Sequence, residues 1–224
     1  MREWVTCECA RMTHFPRKIG LSLEWSCHGI PWLMFVAFWL AMLWRTTPTA
    51  TIERISGGST IPTYRTRSWT LSQWLAGPTT SLFPDQWTQA FCLLFALLID
   101  LCVVGLIKMC VRRPRPKDDI AADMRLTVPV DMWSFPSGHA TRACLLFWLL
   151  PHFFAFSTMG LGLLAFWVVI ICFSRFAMRR HHATDILAGA IFGFLEYRLV
   201  WMIDWIYVTQ RVMETAFSVI HSEL

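Results

Sequence analysis

Charge is scarce in this chain of 224 residues: Asp, Glu, Lys and Arg together make up 16%, while 55% of the residues are hydrophobic. A water-soluble domain carries about 25% charged residues, so there are too few here to cover a soluble surface. No heptad persists and the eleven Gly and eleven Pro follow no period, which excludes coiled coil and collagen. The long apolar runs exclude disorder. No internal repeat is visible, and the membrane-sized segments differ too much to be copies of one another. No cleavable signal peptide is apparent: the first apolar run begins near Ile30 and lacks a small-residue cleavage site, so the first span is expected to stay in the mature protein. Cys7 and Cys9 form a C-x-C without a second ligand pair, which argues against zinc and for a free or acylated pair near a membrane. Cys92, Cys102, Cys110, Cys144 and Cys172 lie in or at the ends of apolar runs and read as small hydrophobes, not as a disulfide framework.

What stands in place of charge is a series of membrane-sized runs. A spanning helix needs about 20 mostly apolar residues. Gly29 to Trp44, Gln86 to Ile107, His139 to Phe156, Leu161 to Phe173 and Ile186 to about Tyr207 give five candidates, with Ser157 to Gly160 as the turn between the third and fourth. The expected fold is all-α, a multi-span transmembrane helical bundle of about five spans. It divides into an N-terminal tail at 1–28, a membrane-embedded domain at 29–207 with a polar, irregular insert at 45–85, and a C-terminal tail at 208–224. Asp100, deep in the second span, is costly there and should face protein, with Lys108 or Arg142 as its partner.

Each span turns the chain to the opposite membrane face. The end of the second span at Lys108, the start of the third at His139, the end of the fourth at Ser174 and the start of the fifth near Asp185 therefore share one face. Three polar segments converge there. Lys108 to Pro116 is a dense cationic cluster, readable as ordinary lipid-flanking charge or as an anion site. Ser134 to Ala140 begins a helix, where Ser137 and Gly138 present amides and a helix dipole suited to an anion; the plainer reading is a helix start with an interfacial His139. Ser174 to Asp185 carries His181 and His182, readable as a metal-binding or surface pair. If the fifth helix already includes His181, then His181 and Asp185 are i and i+4 on one face. A carboxylate on one ring nitrogen would leave the other free as a nucleophile or base. Taken together, the cations, helix-terminal amides, a His beside an Asp and a second His read as a phosphate site with a nucleophile and a general acid.

The spacing K-x6-R-P (Lys108, Arg115, Pro116), P-S-G-H (Pro136 to His139) and S-R-x5-H-x3-D (Ser174, Arg175, His181, Asp185) resembles the three-part signature of the type 2 phosphatidic acid phosphatase superfamily, which includes vanadium haloperoxidases. Ser26 to Trp32, Leu93 to Asp100 and Ser134 to Ala143 further resemble its polyisoprenoid diphosphate (presqualene diphosphate) phosphatase branch. The insert at 45–85 is longer than that branch leads one to expect. The resemblance implies that His181 attacks phosphorus to form a phosphohistidine, with Asp185 orienting it. It implies that His139 protonates the leaving oxygen and then activates water. Lys108, Arg115, Arg175, the Ser137 hydroxyl and the Gly138 amide would hold the phosphate oxygens. The five-residue gap from Arg175 favours His181 over His182 as nucleophile. No metal or other cofactor is implied, because the cations take the role magnesium plays elsewhere. Arg112, Arg113, Arg179 and Arg180 read as headgroup contacts, and Asp118, Asp119, Asp123 and Asp131 as solvated loop residues.

The implied function is metal-independent hydrolysis of a polyisoprenoid diphosphate or monophosphate in the membrane. The alternatives are a broad phosphatidate-type lipid phosphatase, a non-catalytic scaffold that keeps the fold, and a vanadate-dependent oxidase. The implied partner is the lipid phosphate or diphosphate substrate in the membrane, not nucleic acid, and the oligomeric state is not legible. The net charge of +5 becomes local on this reading: thirteen of the twenty basic residues fall on the motif face. By the positive-inside rule that face would be cytosolic, yet the site itself needs several of those cations. The resemblance implies an integral protein of the endoplasmic reticulum or nuclear envelope, with a lumenal site as the other orientation.

Overall fold

The computed structural model describes residues 17–47, 85–116 and 132–222. Among them the structure is all-helical: α1 (Arg17–Ser26), α2 (Gly29–Thr46), α3 (Gln86–Val111), α4 (Gly138–Leu149) continued by a 3-10 turn (Leu150–His152), α5 (Thr158–Ala177), α6 (Ala183–Trp201) and α7 (Trp205–Ser222). Most of the 45–85 insert, Cys7, Cys9, Asp118, Asp119, Asp123 and Asp131 lie outside the described residues.

The helix ends follow from local chemistry. Asp85 caps α3 by accepting from the Thr88 amide at 2.7 Å, and Ser157 caps α5 by accepting from the Gly160 amide at 3.1 Å. Each satisfies an otherwise orphaned amide of a first turn. Arg45, Lys108 and Arg175 sit in the last turns of α2, α3 and α5, where the helix dipole favours cations. Past α3 the chain turns through Arg112 at φ 48°, a left-handed residue closing the helix, and reaches Pro114.

Three helices, α2, α3 and α5, are long and apolar enough to cross a membrane; α6 and α7 pass the same test only as a pair bent by 71°. The described residues thus hold three or four candidate spans, against about five expected. The expected third span, His139 to Phe156, is α-helical only to Leu149. Pro151, inside the 3-10 turn, has no N–H with which to continue the α-helical ladder. The expected fifth span breaks after Trp201, and residues 208–222 of the expected C-terminal tail belong to α7. The last third of the expected N-terminal tail is α1. Phe38 on α2, Phe166 and Val169 on α5 and Leu187 on α6 are each more than 60% exposed, as lipid-facing side chains are.

Two compact units lie within Met1–Trp32 with Leu97–Tyr197, and within Leu33–Ala96 with Arg198–Leu224. The second is built on Leu43, Trp87, Ala90, Phe91 and Met213, with Trp87 stacked on Phe91. The first holds every motif residue. Its core joins Cys27, Ala143 and Ile171, with Leu23, Trp167 and Val168 against them. In the same unit α6 meets α4 backbone to backbone: a Cβ on Gly189 would lie 2.7 Å from the Ser137 carbonyl oxygen, and one on Gly193 would lie 2.2 Å from that of Thr141. This small-xxx-small contact lets two helices approach closely where water gives no drive to associate. Between α3 and α4, Asp100 pairs with Arg142, the second of its two expected partners, and Arg142 Nη1 also donates to the Cys27 carbonyl at 3.1 Å.

Candidate active site

The site forms where α3 ends and where α4 and α6 begin. Ser134, just before α4, is fully buried. Its amide donates to the Arg113 carbonyl at 2.9 Å, and its hydroxyl donates to the Pro114 carbonyl at 3.0 Å. These bonds tie the segment after α3 to the segment before α4. The Ser134 carbonyl lies 2.7 Å from His181 Nδ1. A carbonyl can only accept, so Nδ1 carries the proton and Nε2 holds the lone pair of the neutral ring.

His181 is 5% exposed. Burial, then the charges of Arg115, Lys108 and Arg175, hold its imidazole well below the ordinary 6.5. The three cations expected to bind phosphate are thus the three whose charge falls on the expected nucleophile. His139, on the first turn of α4, faces the charges of Arg175 and Arg142 and the rings of His181 and His28; its ring lies 6.1 Å from that of His28. The Cys27 thiol donates to the His139 carbonyl at 3.3 Å, and burial pushes that thiol up to about 12.

Three atoms of the signature residues are shielded from solvent and have no hydrogen-bond partner: Ser137 Oγ, His139 Nε2 and Arg175 Nη1. Ser137 occupies the N-cap position of α4, yet its hydroxyl makes no capping bond. Buried polar groups are paired in the great majority of cases, and an unpaired one costs about 1–3 kcal/mol. A hydroxyl and an imidazole nitrogen left so, with a guanidinium nitrogen met only by the Glu24 ion pair, suit an oxyanion. Gly138, the first residue of α4, packs closely on α3, since a Cβ there would lie 3.3 Å from Val104 Cγ1.

Asp185 is placed differently from the expectation. Helix α6 begins at Ala183, so His181 lies before it and the i, i+4 relation does not arise. His182 takes the N-cap position instead. The Asp185 carboxylate accepts from the His182 amide at 2.9 Å and meets His182 Nδ1 at 3.1 Å, the N3-to-N-cap half of a capping box. Its other oxygen accepts from Arg113 Nη1 at 2.7 Å, and the same Nη1 donates to Thr184 Oγ1 at 2.8 Å. The Asp185 carbonyl accepts from the Ser137 amide at 3.0 Å. Asp185 is connected to His181 in steps, through Arg113 and Ser134. Arg113, expected to contact headgroups, is therefore part of the site's frame. The spacing gave no sign of Ser134, which acts through its carbonyl, or of Glu24, which pairs with Arg175 Nη1 at 3.2 Å. Among the described residues no three His, Cys, Asp or Glu side chains gather so as to hold a metal ion.

Residues 89–207, more than half of the chain, match the PAP2 superfamily, and the chain belongs to that superfamily. It is similar to the Arabidopsis thaliana protein named "Probable lipid phosphate phosphatase beta", with 29% identity over 128 residues, taking in 46% of this chain and 60% of that protein. The match spans less than two thirds of that relative's length. No solved structure matches the chain.

Proposed function

We propose that the protein is an integral-membrane lipid phosphatase that hydrolyses polyisoprenoid diphosphates or monophosphates through a phosphohistidine, without a metal. The observation that carries this reading is a set of buried signature atoms without a hydrogen bond, Ser137 Oγ, His139 Nε2 and Arg175 Nη1, the last met only by the Glu24 ion pair, together with a His181 imidazole under the charges of Arg115, Lys108 and Arg175. Membership of the superfamily and the likeness to a lipid phosphate phosphatase support a hydrolase.

On this reading His181 Nε2 attacks phosphorus as the bond to the leaving oxygen breaks, and His139 gives that oxygen its proton. His139, now neutral, takes a proton from water, whose oxygen attacks the phosphohistidine. Phosphate leaves and the His181 ring regains its lone pair. Lys108, Arg115, Arg175, Ser137 Oγ and the Gly138 amide hold the phosphoryl oxygens throughout, strengthening as charge redistributes. Asp185 and Arg113 fix the frame through Ser134.

The isoprenoid substrate is supported by the stretches Ser26 to Trp32, Leu93 to Asp100 and Ser134 to Ala143. The likeness to a lipid phosphate phosphatase favours a second reading, broad action on phosphatidate-type lipids. The full chain, purified in detergent and assayed with chelator, is offered farnesyl diphosphate and phosphatidate in parallel. Release from farnesyl diphosphate with kcat/KM at least about tenfold above phosphatidate, a difference of about 1.4 kcal/mol, supports the first reading. The reverse order supports the second, and no release from either opposes both. The five-crossing topology, with α4 and its 3-10 turn as the short third crossing, and an endoplasmic reticulum location belong to the same proposal. Glycosylation sites inserted at the tails and between residues 117 and 131 test them.

A further inference from the structure

Arg175 is fully buried, and most of its donors are taken by protein groups. Nε donates to Ser174 Oγ at 3.3 Å. Nη2 donates to the Gly20 carbonyl of α1 at 3.2 Å and to Met178 Sδ at 3.5 Å. Nη1 lies 3.2 Å from Glu24 Oε2 as an ion pair, without hydrogen-bond geometry, and has no acceptor. The other Glu24 oxygen accepts from Arg180 Nη1. A single carboxylate on α1 thus links Arg175, in the last turn of α5, to Arg180, just beyond that helix, and it lies outside the residues matched to the superfamily.

We propose that Glu24 is a positioning residue of the active site: its ion pair at Nη1, with the Gly20 carbonyl on Nη2, clamps the Arg175 guanidinium to α1 and leaves the second N–H of Nη1 as the donor for a phosphoryl oxygen. The proposal rests on the reading of Arg175 as a phosphate contact. The guanidinium is a rigid planar fork, so holding Nη2 on the Gly20 carbonyl and one side of Nη1 on the Glu24 carboxylate fixes where the second Nη1 N–H points. The Glu24 charge also provides a buried Arg175 with a counter-ion while no phosphate is bound, so the side chain need not swing away to find one. A donor held in place in this way acts most strongly on the transition state, where no reorganisation is left to do. Amphipathic α1 would then be a wall of the site, and its loss would disable Arg175 without touching any signature residue.

The test uses the full chain in detergent and reads ligand affinity from the concentration-dependent rise in unfolding temperature; this readout needs no turnover. The probes are orthovanadate, which adopts the five-coordinate geometry of the transferring phosphoryl group, and inorganic phosphate, which does not. Glu24→Gln is expected to weaken orthovanadate binding about tenfold and leave phosphate within about twofold, the pattern of a lost transition-state contact. In an Arg175→Lys background the same substitution is expected to change orthovanadate binding by less than about twofold, because the two residues act as a unit. Unchanged orthovanadate binding in Glu24→Gln, or equal weakening in both backgrounds, overturns the proposal. If Glu24→Gln does not fold, Glu24→Asp, which keeps the charge one methylene short, is measured in the same two backgrounds and must show the same non-additivity. Wild-type orthovanadate binding by Arg175→Lys would instead remove Arg175 from the phosphate site, a failure of the underlying reading distinct from a failure at Glu24.

Discussion

His181 Nδ1 and the carbonyl oxygen of Ser134 are 2.7 Å apart, and this contact, not one to Asp185, fixes the imidazole. The carboxylate at the start of α6 is bound by Arg113 and His182. A backbone acceptor sets the tautomer, and burial together with the neighbouring cations keeps the ring neutral.

The pH dependence follows. Burial and the charges of Arg115, Lys108 and Arg175 lower the proton affinity of His181 well below the ordinary 6.5. A lowered value means that the ring stays neutral, and nucleophilic, further into acid. The acid limb of kcat/KM against pH is therefore expected to have its midpoint below 6.5. A midpoint at or above 6.5 would show that the ring is not held under these charges. Replacing Lys108 with Met removes one of them and should move the limb toward higher pH.

The two adjacent histidines should separate cleanly. His181→Ala is expected to lower kcat/KM by at least about 10³-fold, as loss of a nucleophile does. His182 is the more exposed ring, 38% by side chain, and works through Asp185. His182→Ala is expected to cost no more than about tenfold, or about 1.4 kcal/mol in the barrier. Steady-state kinetics on the two variants decide between them, and the opposite order would make His182 the nucleophile.

Much of this arrangement was legible in the sequence, for identifiable reasons. The motif spacing is local, so Lys108, Ser137, His139, Arg175 and His181 could be named before any coordinates. Asp100 could be given a partner because an unpaired carboxylate among apolar helices is so costly. The His181 to Asp185 pairing failed on a helix boundary: it required α6 to start two residues earlier, and hydropathy does not set boundaries that finely. Ser134 was illegible because its contribution is a carbonyl, which every residue has. Glu24 was illegible because a single carboxylate beside Arg175, 151 positions away in sequence, carries no local signature.

Helix contact between α4 and α6 should be intolerant of one methyl group. Gly193→Ala places a Cβ where the Thr141 carbonyl oxygen is 2.2 Å away, and that atom is backbone. Thermal unfolding in detergent is expected to show a loss of about 2–3 kcal/mol, the upper part of the overpacking range. Gly162, where a Cβ meets nothing within 4 Å, is the control. Gly162→Ala should be neutral or gain up to about 1 kcal/mol from helix propensity.

The Asp100 and Arg142 side chains are 0% and 6% exposed, so each is the other's main compensation. Asp100→Ala leaves a buried guanidinium uncompensated and is expected to cost about 3–5 kcal/mol, whereas replacing both residues with apolar ones should cost far less. Unfolding temperatures of the singles and the double, compared in one detergent, check this. Additive losses would mean that the pair is not coupled.

The central claim is a covalent phosphoryl group on His181. The most direct measurement is rapid quench of the detergent-purified protein with phosphorus-labelled lipid diphosphate in chelator, followed by alkaline gel analysis. Wild-type protein is predicted to carry an acid-labile, base-stable label, to lose it on a chase with unlabelled substrate, and to show none as His181→Ala. Label retained in His181→Ala, or turnover by wild type with no label at any quench time, would contradict the account.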